Sequence, residues 1–127
     1  MPIRLCRTMK VAADGRPAPG RAAKTLGVRV DGPHADVHPD AAGRVHPGEG
    51  MSVAADDPYP LLPHLLPKPF GGHAREPLWV VADDRIRLPL ALREARPPHM
   101  HVEPHAPMPL PGYERALVAT RPDWSRA

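Results

Sequence analysis

The sequence predicts an α+β fold, and three observations carry that prediction. Short apolar runs, LWVVA the clearest, have the length and composition of strands. One C-terminal stretch, LPGYERALVAT, has the spacing of a helix. Proline and glycine supply 20 and 10 of the 127 residues, which excludes long helices and demands long connections. Such a composition approaches that of disordered chains. The prolines nevertheless divide apolar runs (LWVV, LPLAL, YERALVA) and form no repeat, so one loop-rich domain over residues 1–127 is expected.

Taken in order, Ile3 to Val11 alternates Ile3, Leu5, Arg7 and Met9 against Arg4, Cys6, Thr8 and Lys10, a strand over about 3–9. Ala13 to Gly20 is a turn or loop. AAKTLGVRV suits a short helical turn before Gly27 and then an extended piece. Gly32 to Gly50 is loop-rich, with brief extended segments at Asp36–His38 and Arg44–His46. Met51 to Ala55 is a buried strand. Asp56 to His73 has proline too often for a helix or central strand, because each removes a backbone donor. It is expected to wrap the surface, pinned by its leucines and Phe70. Leu78 to Ala82 is a strand, and Arg87 to Glu94 reads as strand or short helix. His99 to Glu103 is a strand, and Leu110 to Thr120 a helix with Leu110, Tyr113, Leu117 and Thr120 at helical spacing.

The formal charge is +3 and the pI about 9.5, carried mostly by arginines scattered among acids. Aromatics make up 4%, too few for base-stacking platforms, so nucleic acid is a disfavoured partner. Isolated arginines suit small anionic ligands better. The single cysteine, Cys6, excludes an intrachain disulfide and a site of several thiolates. MPIRLCRTMKV lacks the apolar core of a signal peptide, and no stretch is long enough to span a bilayer. A reducing, cytoplasmic setting is expected. A protein delivered whole into a target cell by a contact-dependent machine has the same features.

The chemistry concentrates in HMHVEPH. An extended backbone puts His99, His101 and Glu103 on one face and Met100 and Val102 on the other. Two imidazoles and a carboxylate are a ligand set for iron or zinc, and His105 adds a further donor. A metal-dependent enzyme or metal-binding protein using His99, His101, Glu103 and His105 is therefore one reading. The spacing is not specific, and prolines flank the strand where a cupin-type barrel has glycines. Upstream, GRVHPGEGMSVAAD places Gly48 and Gly50 where the backbone can bend tightly and approach a ligand, with Ser52 next on a strand.

Three segments together resemble a known family: RLCRTMK, GEGMSV and the late H-x-x-x-x-P-x-x-P-M with its tyrosine helix, HMHVEPHAPMPLPGYERAL. In this order they are similar to the type six exported toxin 2 family of type VI secretion effectors, whose fold is akin to NAD-dependent ADP-ribosyltransferases. The resemblance implies a small, split β-sheet core with few helices, with strands near 3–9, 51–55, 78–82 and 99–103 meeting around one cleft. It implies NAD as cofactor, Arg7 as the arginine contacting the dinucleotide, and Ser52 as the residue shaping the nicotinamide pocket. His99 aligns with the family's third-strand histidine.

Glu103 is a choice made on chemistry, since a carboxylate stabilises the oxocarbenium-like ribose left when nicotinamide departs. Trp79 or Tyr59 could stack on nicotinamide, or serve as core and cover. No E-x-E or Q-x-E pair is present, so cleavage of NAD and transfer of ADP-ribose to an acceptor macromolecule both stay open. A toxin of this kind also implies a cognate immunity or antitoxin protein. The loop Asp56 to His73, with Gly71 and Gly72 at its far end, is either a lid over the pocket or a static wrap.

Overall fold

The computed structural model describes residues 3–56, 61, 63–96 and 99–127. Among them the strands are β1 (Arg4–Thr8), β2 (Arg44–Val45), β3 (Met51–Ala55), β4 (Leu78–Ala82), β5 (Leu90–Glu94), β6 (His99–Pro104), β7 (Met108–Pro109) and β8 (Ser125–Arg126). The one α-helix among the described residues is α1 (Leu110–Val118). Six strands form an antiparallel sheet in the order β5-β6-β3-β1-β4-β8, and β2 pairs with β7 beside it. The class is therefore α+β. No helix among the described residues is long and apolar enough to cross a membrane.

Register decides which side chains share a face, because directly opposed residues point the same way. Leu5 opposes Val81, and Met51 opposes Val102, so these line one face with Val53 and Trp79. That face builds the main core together with Leu26, Val28, Val37 and the helix residues Tyr113 and Leu117. The opposite face carries a small second cluster of Cys6, Ala54 and Leu78, covered by Leu61 and Phe70. Both halves of the β1 alternation are thus buried, each in its own layer. Tyr113 and Leu117, four apart, present one stripe of α1 to the sheet, as helical spacing requires.

The structure refines several sequence expectations. Residues 22–30 contain a turn with Lys24 at φ 61, and no helix forms there. Asp36–His38 is not strand; the Asp36 N–H donates to the Arg29 carbonyl at 2.8 Å across a turn. Arg87–Glu94 resolves as strand β5 from Leu90 onward. The described part of the proline segment is a pinned wrap: His73 N–H donates to Pro63 O at 2.7 Å and Ala74 N–H to Leu66 O at 3.0 Å. Gly72 is packed so closely that a Cβ there would lie 1.9 Å from Leu66 O, which does not suit a hinge.

The two seams flanking β3 differ. β3 and β6 pair at four positions, whereas β1 and β3 pair at two, Leu5 with Ala55 and Cys6 with Ala54. Beyond Cys6 the strands β1 and β3 part, while β1 stays paired with β4 along all five of its residues. On the other seam, Gly50 lies so near β6 that a Cβ would sit 2.3 Å from Val102 O. The close approach that Gly50 permits is therefore to the protein's own backbone and not to a ligand. Gly48, at φ 103, turns the chain into that contact. The Tyr113 hydroxyl closes the seam, donating to Val102 O and accepting from Met51 N–H at 3.1 Å.

Candidate functional site

Where β1 and β3 part, a pocket of about 220 Å³ opens. Ser52, Ala54, His99, Cys6 and Thr8 reach it from one face of the sheet, and Arg7 and Val53 from the other. A pocket lined from both faces lies in the gap between the strands. Leu61 and Leu65, from the proline-rich segment, wall it on the outside, and Thr8 Oγ1 fastens that wall by donating to Leu65 O. Lys24, Arg29 and Asp36 close the side made by residues 23–36.

Arg7 takes over where the ladder stops. Its Nη1 donates to Ser52 O at 2.7 Å, while Nε and Nη2 both donate to Thr25 O, at 3.1 and 2.9 Å. The planar fork thus satisfies carbonyls that strand pairing leaves open, and only arginine has donors in that geometry. Burial pulls the Arg7 guanidinium down to about 10, with Asp36 opposing the shift and Arg29 adding to it. It remains charged at neutral pH and has no carboxylate within ion-pair distance among the described residues. Lys24 is paired with Glu76 at 2.7 Å, and Arg29 meets Asp36 at 3.4 Å. With Arg7 and Arg29 against Asp36, the lining carries excess positive charge.

Of the residues singled out from sequence, Arg7, Ser52 and His99 come together at this pocket, each from a different strand. Neither the Ser52 hydroxyl nor the His99 ring is engaged by a partner among the described residues. Glu103 is not with them. It is buried, and its carboxylate accepts from Arg93 Nε at 2.8 and 3.0 Å and from Gly48 N–H at 2.7 Å. It holds the glycine bend to β5 and β6. Trp79 is core: it is 3% exposed and its indole N–H donates to Met9 O at 2.9 Å, with Arg126 over the ring. Tyr59 lies outside the described residues.

The donor set His99, His101, Glu103 and His105 does not converge. Among the described residues no three His, Cys, Asp or Glu side chains are placed to hold one metal ion. The physical reason is that two of the four donors are held elsewhere. Glu103 is already committed to Arg93, and His105 lies past β6, against Leu88 and Pro89.

No protein-family model matches the chain, and no curated protein or solved structure matches it significantly. The site therefore stands on its own chemistry. Among the described residues it combines guanidinium charge in excess of carboxylate, an apolar wall, a hydroxyl without a partner and an imidazole. Such a lining suits an anionic ligand with a flat or apolar part. Sequence reasoning passed over Lys24, Arg29 and Asp36. Their one legible signal was the Gly32–Pro33 turn, which folds Asp36 back onto Arg29, its backbone N–H donating to Asp36 Oδ2 at 2.7 Å.

Proposed function

We propose that this chain is an NAD-binding toxin of the type six exported toxin 2 kind, with an ADP-ribosyltransferase-like arrangement of its α+β fold. It acts inside a cell, cleaving NAD or transferring ADP-ribose to an acceptor macromolecule, and is neutralised by a cognate immunity or antitoxin protein. One observation carries this reading: Arg7, Ser52 and His99, assigned to NAD from three separate sequence segments, line one pocket at a split in the sheet. The excess positive charge supports a phosphate-bearing ligand, and Leu61 and Leu65 support a flat base beside it. The pocket is smaller than the roughly 300–1,000 Å³ typical of ligand sites. It accommodates the nicotinamide end of the dinucleotide, leaving the adenosine half outside.

The test is growth after induced expression, with cellular NAD measured in parallel. Wild type should arrest growth, with NAD falling if cleavage is the activity. Ser52→Ala and Arg7→Ala should both restore growth at equal expression. Equal, healthy growth of all three strains would remove the proposal.

A further inference from the structure

Resting on that reading, we infer that Asp36 is the carboxylate that faces the reacting ribose. Losing nicotinamide leaves positive charge on the ribose, and a site for this chemistry needs an anion beside it. The sequence offered Glu103 for the task, but Glu103 is spent on Arg93 and Gly48 and does not line the pocket. Asp36 does line it, and it is the one carboxylate that does so among the described residues. Among the described residues Arg29 alone fixes its orientation, through the backbone N–H at 2.7 Å and two long guanidinium contacts at 3.4 Å. A carboxylate has about four acceptor positions, so lone pairs remain for a ribose hydroxyl. The side chain is 15% exposed, within reach of a ligand and shielded from bulk water.

The step balances without further reagents. The bond between ribose C1′ and the pyridinium nitrogen breaks, its electron pair goes to that nitrogen, and neutral nicotinamide leaves. A water molecule, or a nucleophile of the acceptor, forms the new C1′–O or C1′–N bond and gives up one proton. His99, at the same pocket, is placed to take that proton. Asp36 forms no bond; it accepts from a ribose hydroxyl and offsets the charge on the ring in the transition state.

The experiment measures NAD turnover, NAD binding and melting temperature for purified wild type, Asp36→Asn and Glu103→Gln. Asparagine keeps an acceptor for the Arg29 N–H, so the fold should hold. Asp36→Asn should lose at least 100-fold in kcat with KM changed only a few-fold, the mark of an interaction made in the transition state. Glu103→Gln should lower the melting temperature and lose less turnover than Asp36→Asn. Should Asp36→Asn fail to fold, Asp36→Glu reports instead, and turnover at least tenfold below wild type supports the assignment. Wild-type turnover in either Asp36 variant overturns Asp36 while leaving the NAD reading intact. A wild type that neither binds nor consumes NAD overturns both.

Discussion

The two seams of β3 solve one problem in opposite ways. On each, strand pairing ends and a side chain satisfies the backbone, from helix α1 on one and from β1 itself on the other. At the β6 seam the agent is the neutral, fully buried Tyr113 hydroxyl. At the β1 seam it is the guanidinium of Arg7, which bridges the gap to Ser52 O and Thr25 O. A neutral bridge closes a sheet; a charged one leaves a polar opening. The chemistry of the molecule collects at the second kind.

The comparison breaks most severely at Gly50. In Gly50→Ala the new methyl would meet Val102 O at 2.3 Å, and backbone on both sides must move. Forced overpacking of this kind costs about 3 kcal/mol, the upper end of its usual range, seen as a drop in the urea unfolding midpoint at constant slope. A cost below 1 kcal/mol would show that the β6 seam has slack.

Tyr113→Phe comes next. It strips the Met51 N–H and Val102 O of their shared partner, and two buried backbone groups left so cost about 2–3 kcal/mol together. Its pH dependence separates the two seams. Burial pushes the Tyr113 hydroxyl well above its ordinary 10.0, so above that pH the unfolded chain gives up a proton that the folded chain keeps. The stability Tyr113 contributes is complete below pH 10.0 and declines as pH rises. Arg7 runs the other way: burial lowers its guanidinium to about 10, so above that pH the unfolded chain holds the proton more firmly, and stability rises with pH. The gap between wild type and Tyr113→Phe should therefore narrow above pH 10.0, measured as the difference in urea midpoints.

The smallest effect belongs to Arg7→Lys. Lysine keeps the charge but lacks the fork that joins Thr25 O to Ser52 O, a loss of about 1–2 kcal/mol. A cost equal to that of Gly50→Ala would mean the β1 seam is as tightly built as the β6 seam.

Central strands were the legible part of this chain. Met51–Ala55 and Leu78–Ala82 have the bounds their apolar runs suggest, because both lie inside the sheet, where composition and burial agree. Helix α1 stops at Val118, short of Thr120, whose hydroxyl instead bonds back to Leu117 O. Glu103 misled for a traceable reason. Its partner Arg93 lies in the segment that reads equally as strand or helix. Only as β5 paired antiparallel to β6 does that segment bring the guanidinium to the carboxylate. Asp36 was missed because the Gly32–Pro33 turn signals only a bend, while its place at the pocket also depends on the residues across the gap, which leave no period in the sequence. Gly50 was correctly marked as a site of close approach, but the approaching group is Val102.

The pocket draws its lining from Cys6 through His99. β1, the strand at its centre, finds its partners only in β3 and β4, and β3 finds its second in β6. Every one of these pairings closes a long loop, so entropy must be surrendered before any contact rewards it. During synthesis the first strand therefore waits, unpaired, until β3 and β4 have been made, and the β6 seam follows later still. The pocket is complete only when His99, the last residue of its lining, has joined the sheet on β6.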